Sequence, residues 1–412
     1  MTFRRFPEGF LWGAATSAYQ VEGGITGNDW YRFEEAGKVA GGERAGLGDD
    51  HYHRYAEDFD LARGLNNTAH RLSLEWSRIE PSDGVFDDAE LAHYREVLEA
   101  IRARGMQVFL TINHWTVPGW VADMGSWDDR RTVDRFVRFA VRCGEELGDL
   151  VDAWITINEP IHQVNYGYFV GRWPPEKASF REAHTAGVNL YRAHNRAYTE
   201  LKRLTPDVPV GVAVNSIHFK PCVEVTWRDR LYGPFLNWFV NYWFLDKVRD
   251  HMDFVGVQYY MALSVPQFLG ADYSCHSEGP HTDMGWRICP QGMRQVVRDT
   301  WRRYGRPIYV TENGIADASD DLRPAYLRSH LVELHKAMTE DGADVRGYFH
   351  WSLLDNFEWS DGWAPKFGLF AVDRETFART GRPSAAIYAG ICADNGLPDM
   401  SISDELGESA CT

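Results

Sequence analysis

Short apolar segments alternate with longer amphipathic segments along the whole chain. The apolar segments are rich in β-branched and aromatic residues and have the length of buried strands. The amphipathic segments have the apolar period of a helix and end at glycines, as at Gly105 and Gly342. Eight strands are predicted in this way, over Phe10–Ala15, Thr68–Leu74, Gln107–Asn113, Ala153–Asn158, Val210–Asn215, Phe254–Tyr260, Ile308–Thr311 and Val345–Trp351.

Eightfold alternation of strand and helix predicts a parallel sheet, and eight strands are the number that closes a (β/α)8 TIM barrel. An open, doubly wound sheet is the alternative, but the turn after the first strand lacks the G-x-G-x-x-G and Walker patterns of that fold. We therefore predict a single α/β barrel domain over residues 1–393. The acidic segment 394–412, with five acids and no base, is predicted to be a poorly ordered tail.

Composition and charge narrow the range of partners and compartments. The chain has 43 Lys and Arg against 59 Asp and Glu, a formal net charge of −16. This balance disfavours nucleic acid and anionic membranes as partners, since both attract clustered basic residues. No apolar run is long enough for a membrane-spanning helix. The cysteines form no C-x-x-C pair, so we expect reduced thiols in a cytoplasmic protein; they are Cys143, Cys222, Cys275, Cys289, Cys392 and Cys411.

Polar residues that close the predicted strands are the candidates for chemistry, because the C-terminal ends of barrel strands form one rim. Two carboxyl groups, Glu159 and Glu312, end the fourth and seventh strands and are expected to face each other across that rim. A ring of ionisable groups is energetically unfavourable unless it has a function. The other polar or aromatic residues at this rim are Gln20, Arg71, His114, Asn158, Asn215, Tyr260 and Trp351.

These carboxyl groups also have a purely structural interpretation. Asn158 could be a helix N-cap, with Glu159 as a first-turn acid and Pro160 as the first helical residue. Glu312 could belong to an ordinary turn after its strand. Elsewhere, the segment Asp49–His53 contains potential metal ligands but lacks the spacing of a zinc site, and it is predicted to begin a solvated helix. No metal site is predicted.

Six longer motifs occur along the chain, namely FPEGFLWGAATSAYQVEG (6–23), RLSLEWSRIEP (71–81), NHW (113–115), WITINEP (154–160), YVTENG (309–314) and GYFHWSLLDNFEW (347–359). Together they resemble glycoside hydrolase family 1, the β-glucosidase family of retaining enzymes on a (β/α)8 barrel. The resemblance runs from Phe6 to about Ile391, in order and with plausible spacing.

This resemblance implies a role for each matching residue. Glu159 is the implied acid/base and Glu312 the implied nucleophile, while Asn158 binds the sugar 2-hydroxyl. Arg71 and Tyr260 hold the nucleophile and lower its pKa. No metal or organic cofactor is implied, and the partner is a small-molecule or oligosaccharide β-glycoside. The remaining glycone-binding residues implied by the resemblance are Gln20, His114, Glu358, Trp359 and the stacking floor Trp351.

The chain also departs from the family pattern at three places. Gln258 replaces the usual Asn before the paired tyrosines, GRWPPE (171–176) replaces a His-x-Pro-Pro-Gly pattern, and Arg382 replaces a Lys. Glu358 is retained and Phe367 occupies the position of a phosphate-binding Tyr, which favours an unphosphorylated sugar. A β-glucosidase, with β-galactosidase or β-fucosidase side activity, is the expected function. A transglycosidase or tailoring glycosidase and a non-catalytic sugar-binding relative are the alternatives, and the oligomeric state is left open.

Overall fold

Eight parallel strands close into a barrel, in a computed structural model that describes residues 3–219, 227–264 and 279–398. The strands are neighbours in sequence order, and the eighth strand pairs with the first. The predicted TIM barrel is therefore confirmed. The barrel strands are Leu11–Ala15 (β1), Ala69–Ser73 (β2), Gln107–Asn113 (β3), Ala153–Asn158 (β4), Val210–Asn215 (β5), Phe254–Gln258 (β6), Ile308–Asn313 (β7) and Val345–Trp351 (β8).

A layer of amphipathic helices surrounds the barrel and returns the chain to the start of each following strand. These helices are His51–Gly64 (α1), Asp88–Ala103 (α2), Arg131–Leu147 (α3), Phe180–Leu204 (α4), Trp243–Val248 (α5), Pro290–Tyr304 (α6), Arg323–Thr339 (α7) and Pro383–Asp394 (α8). Shorter helices lie in the loops, at Ala18–Val21, Asp29–Glu35, Trp76–Ile79, Gly119–Met124, Pro160–Val164 and Trp227–Asn237.

Aromatic side chains fill the lower interior of the barrel. Phe109 contacts Phe254, Tyr309 and Phe349, with ring centroids 6.4, 5.0 and 4.8 Å apart. These rings come from alternating inward positions of four strands, so they form a packed layer and not a channel. The polar residues further along the same strands therefore lie above an apolar floor, at the C-terminal end of the barrel.

Two strand ends differ from the prediction in a way that matters for the site. β7 continues to Asn313, because Glu312 pairs in register with Gln258 and Asn313 with His350. Glu312 is therefore part of the rigid barrel and does not belong to a turn. Conversely, β6 ends at Gln258, so Tyr260 lies just beyond the strand and not at its last position.

The predicted boundary of the C-terminal tail is wrong by several residues. α8 continues to Asp394, and Gly396–Pro398 form a short strand that pairs antiparallel with Phe3–Arg5. Asn395 joins the two by a left-handed turn, and its side chain accepts a hydrogen bond from the Trp12 indole at 2.9 Å. The pairing of Gly396–Pro398 with Phe3–Arg5 orders the first residues of the acidic segment. Local composition cannot predict this pairing, because the two strands are far apart in sequence. Residues 399–412 lie outside the described part of the chain.

The cysteines only partly follow the expectation of reduced thiols. Cys143 and Cys392 are free and buried, as expected. Cys289 is disulfide-bonded, which corrects the expectation at that position. Spacing along the sequence does not by itself show which cysteines come within bonding distance. Within the described residues, no helix is long and apolar enough to cross a membrane.

Candidate active site

Glu312 is held by donors from two other strands. Its Oε1 accepts a hydrogen bond from Arg71 on β2, which also forms a buried ion pair with it. Its Oε2 accepts a bond of 2.6 Å from the Tyr260 hydroxyl, just after β6. All three side chains are almost completely buried. A charged donor on one oxygen and a neutral donor on the other thus hold the carboxylate at one place on the rim, and the Gln258 amide adds a third bond.

Asn158, the last residue of β4, is fixed by the same network. Its Oδ1 accepts hydrogen bonds from Arg71 at 2.7 Å and from Gln258 at 2.8 Å. With its acceptor occupied, its amide nitrogen is the group left to act as a donor, and it lies 3.1 Å from His114 Nε2. Gln258 also donates to Glu312 Oε1 at 2.6 Å. Asn158 and Glu312 therefore share two donors.

Glu159 follows Asn158 in an unusual backbone conformation. Its φ of 47° and ψ of 56° lie in the left-handed region, which a residue with a side chain rarely adopts. Its backbone nitrogen donates to Ala213 O at 2.8 Å, which ties it to β5. The helix starts with Pro160, as expected, but Glu159 itself occupies the N-cap position and its side chain makes no capping bond. The N-cap interpretation of Asn158 is therefore wrong, and the Glu159 side chain lines the cavity instead.

The two carboxyl groups titrate differently. Burial raises the pKa of the Glu312 carboxyl, while the charge of Arg71 and the hydrogen bond from Tyr260 act in the opposite direction. Arg71 and Tyr260 therefore act on this pKa in the expected direction, and burial of the carboxyl group outweighs them. Burial raises the pKa of Glu159 well above its usual range, and the charge of Glu312 raises it further. A charged Glu312 therefore favours the protonated form of Glu159.

Three aromatic rings enclose the space above Asn158. His114 stacks on Trp351, with centroids 6.0 Å apart and an interplanar angle of 21°, and on Trp359, at 5.9 Å and 9°. Burial and the nearby Arg71 charge keep the pKa of His114 well below its usual value, so the ring is neutral. Its Nδ1 is buried and has no hydrogen-bond partner in the described part of the chain, which leaves it available to a ligand hydroxyl.

Gln20 and Glu358 form the polar wall of the cavity. The Gln20 amide donates to Glu358 Oε2 at 3.2 Å and to the Phe357 carbonyl at 3.0 Å. Burial raises the pKa of Glu358 to about 8, and the charges of Asp361 and Glu312 add to this shift. The partner of Glu358 in the described residues is thus a neutral amide. The carboxyl group of Glu358 can accept hydrogen bonds from neighbouring hydroxyl groups of a ligand, and it can also donate one when it is protonated.

A cavity of about 300 Å³ unites these residues at the C-terminal end of the barrel. Arg71 lies beneath it and reaches it only through Glu312 and Asn158. The other site residues singled out from the sequence all line it: Gln20, His114, Asn158, Glu159, Tyr260, Glu312, Trp351, Glu358 and Trp359.

The outer part of this cavity is aromatic and was not predicted from the sequence. The His162 ring stacks on Trp115 at 5.6 Å, and the Tyr166 ring stacks on Trp173 at 4.6 Å. Arg172 lies beside them at the cavity wall. In the sequence, the one indication of this wall is the segment GRWPPE (171–176), which departs from the family pattern. His162 and Tyr166 lie on the short helices after β4, where nothing in the local pattern distinguishes them from packing residues, and Trp115 follows β3 in the NHW motif.

The segment Asp49–His53 begins α1, as predicted, but its first residues are buried and not solvated. His51 bonds Asp58 at 2.8 Å, and Asp49 accepts a bond of 3.1 Å from Arg374. These potential ligands are therefore engaged within the protein. Among the described residues, no group of three or more His, Cys, Asp or Glu side chains is arranged to hold a metal ion.

Sequence comparison places this geometry in a known family. The model of glycosyl hydrolase family 1 matches residues 2–250 and 245–397. The chain is 32% identical to β-glucosidase A of Thermotoga maritima, over 97% of this chain and 100% of that protein. It is also 32% identical to a β-galactosidase of Sulfolobus acidocaldarius, over 96% of each.

Solved structures agree with the sequence relatives. A β-glycosidase from Pyrococcus horikoshii superimposes with a TM-score of 0.89 at 34% identity, covering 98% of this chain and 99% of that one. The β-glucosidase from Thermotoga maritima in complex with glucoimidazole superimposes with a TM-score of 0.90 at 31% identity. It covers 96% of this chain and 100% of its own.

Proposed function

This chain belongs to glycosyl hydrolase family 1 and is a β-glycosidase, and from this premise we propose that it hydrolyses unphosphorylated β-glucosides with retention of configuration. The observation that carries the proposal is the pair of carboxyl groups in one cavity, of which Glu312 is held by Arg71 and Tyr260. Burial and the charge of Glu312 raise the pKa of Glu159. Two carboxyl groups in such different environments can serve as acid and nucleophile. Because both carboxyl groups are present, a catalytic function is favoured over sugar binding without catalysis.

In the first step, one oxygen of Glu312 attacks the anomeric carbon while Glu159 gives its proton to the departing oxygen. The charge of Glu312 disappears when the glycosyl ester forms, so the pKa of Glu159 falls and the same group can then act as a base. In the second step, Glu159 accepts a proton from water, which displaces Glu312 from the sugar. Asn158, with its amide nitrogen available as a donor, is suited to the sugar 2-hydroxyl.

Retention predicts the configuration of the first product. Hydrolysis of 4-nitrophenyl β-glucoside, followed by proton NMR before mutarotation, should release β-glucose first. Adding methanol as a competing acceptor should give methyl β-glucoside as a minor product. If α-glucose appears first, water has attacked directly and the retaining mechanism is wrong. If the methyl glucoside predominates over glucose at low methanol concentration, the protein is a transglycosidase.

The wall formed by Gln20 and Glu358 predicts selection against a phosphorylated sugar. Burial raises the pKa of Glu358 to about 8, and the negative charges of Asp361 and Glu312 add to this shift. A phosphate group at this wall would add further negative charge to a buried site that already disfavours it. We expect kcat/KM for 4-nitrophenyl β-glucoside to exceed that for its 6-phosphate by about 100-fold, equivalent to roughly 2.7 kcal/mol.

The matched variant for this test is Glu358→Gln, which keeps a hydrogen-bonding group of the same size and removes the ionisable one. The preference for the unphosphorylated substrate should shrink in this variant, with both substrates still measured by nitrophenol release. A wild-type enzyme that prefers the 6-phosphate would place this chain among phospho-glycosidases.

A further inference from the structure

We propose that Gln258 is a positioning residue that holds the non-attacking oxygen of Glu312 and accelerates hydrolysis of the glycosyl ester, the second half of the reaction. This inference rests on the proposed function, because it requires a covalent intermediate on Glu312. It concerns a position where the chain departs from the pattern of the family it resembles, with Gln in place of Asn.

Gln258 is fully buried at the end of β6 and pairs in register with Glu312 on β7. Its amide nitrogen donates to Glu312 Oε1 at 2.6 Å and to Asn158 Oδ1 at 2.8 Å. Both hydrogens of the amide are therefore used. The extra methylene of Gln, compared with Asn, lets one nitrogen reach both acceptors from the end of the strand.

Chemistry determines the orientation of this amide. If it were reversed, its oxygen would face Glu312 Oε1 and Asn158 Oδ1, which are both acceptors that Arg71 already contacts. In the observed orientation, the Gln258 oxygen is buried and has no hydrogen-bond partner within residues 3–219, 227–264 and 279–398. An unsatisfied buried acceptor destabilises a fold, so a Gln at this position is better explained by its two donated bonds than by packing.

The distribution of donors identifies the oxygen of Glu312 that attacks the sugar. A carboxylate oxygen has two lone pairs in its plane, and Oε1 accepts from both Arg71 and Gln258. Among the residues that the structure describes, Oε2 accepts a hydrogen bond from Tyr260 alone, at 2.6 Å. Oε2 therefore keeps a lone pair for the anomeric carbon, and Oε1 becomes the carbonyl oxygen of the ester.

The two half-reactions depend on Gln258 in opposite ways. In the first, the bond from Oε2 to the anomeric carbon forms, the bond to the leaving oxygen breaks, and Glu159 supplies the proton to that oxygen. In the second, water attacks the anomeric carbon, its proton passes to Glu159, and the electron pair of the breaking bond returns to Glu312. Donors on Oε1 stabilise that returning charge, so Gln258 accelerates the second step. The same donors make the nucleophile less basic in the first step.

Gln258→Met tests the inference, since it keeps the length of the side chain and removes both donated bonds. Burst kinetics with 2,4-dinitrophenyl β-glucoside separate the two steps, and mass spectrometry measures the fraction of enzyme carrying a glycosyl group. We expect the hydrolysis rate of the ester to fall by roughly 10- to 100-fold, less than the roughly 100- to 1,000-fold typical for loss of a donor to a developing anion, because Arg71 still donates to Oε1. Formation of the ester should change by less than about threefold, so the glycosyl-enzyme accumulates.

The matched control is Gln163→Met. Gln163 is also buried, donates to the Trp115 carbonyl at 2.8 Å and has an unpartnered side-chain oxygen. It has no bond to Glu312, so its loss should alter both steps by the same factor. Gln258→Asn retains the amide and provides a second variant if the Met variant does not fold. We expect Asn to reach only one of the two acceptors and to give an intermediate hydrolysis rate.

The outcomes separate this inference from the proposed function. Trapping the wild-type enzyme with 2-deoxy-2-fluoroglucosyl fluoride should label Glu312. If Glu312 is never labelled, the proposed function itself is wrong. If Glu312 is labelled but the folded Gln258 variants slow both steps equally, or leave ester hydrolysis unchanged, Gln258 is only structural and the inference is overturned.

Discussion

Glu312→Ala should reduce turnover of 4-nitrophenyl β-glucoside by at least about four powers of ten, because no glycosyl ester can form without the carboxylate. Arg71 and Tyr260 would then face an empty space where azide can bind. Azide is therefore expected to restore activity by direct attack and to give α-glucosyl azide, with inversion. Initial rates and product NMR measure both effects.

Two controls separate this loss of chemistry from loss of structure. Removing Glu312 leaves the buried Arg71 without its partner, which destabilises the fold. Glu312→Gln keeps the volume and should be as inactive as the Ala variant, while circular dichroism reports the folded fraction. Glu176→Ala removes an exposed acid that pairs with Lys38 outside the cavity, and its activity should remain close to wild type. Substantial activity in folded Glu312→Gln would contradict the nucleophile assignment.

Glu159→Ala should produce a loss that depends on the leaving group. Poor leaving groups need the proton of Glu159, so their kcat/KM should fall by about 10²- to 10⁴-fold. Ester formation from 2,4-dinitrophenyl β-glucoside needs little protonation and should be much less affected. The glycosyl-enzyme should then accumulate, and azide should release it as β-glucosyl azide, with retention. A Brønsted series of substituted phenyl glucosides measures this dependence.

The same variant should change the pH profile. Burial and the charge of Glu312 raise the pKa of Glu159, so the wild-type rate should fall on the alkaline side as this proton is lost. In Glu159→Ala that alkaline limb should be absent for 2,4-dinitrophenyl β-glucoside, while the acidic limb from Glu312 remains. If azide rescues Glu312→Ala with retention and has no effect on Glu159→Ala, the two roles are reversed.

Sequence alone was sufficient for the barrel and for most of the polar site. Strand and helix periods are local properties, and the bounds of Gln107–Asn113, Ala153–Asn158 and Val345–Trp351 agree with the prediction. Once eight parallel strands form one barrel, their C-terminal ends converge. Because Glu159 and Glu312 end two of these strands, the sequence predicts that both line one cavity, although it gives no distance between them.

Only the tertiary structure decided the properties that depend on contacts between distant parts of the chain. The net pKa shift of Glu312 is upward, because desolvation by the whole fold outweighs the two donors that the motifs indicate. Gly396–Pro398 form an ordered strand because they pair with Phe3–Arg5, near the other end of the chain. In the sequence, Gln258 is only a departure from the family pattern. The pairing of β6 with β7 shows that its amide contacts Glu312. Desolvation, strand pairing and shared hydrogen bonds arise from residues remote in sequence, so no local pattern encodes them.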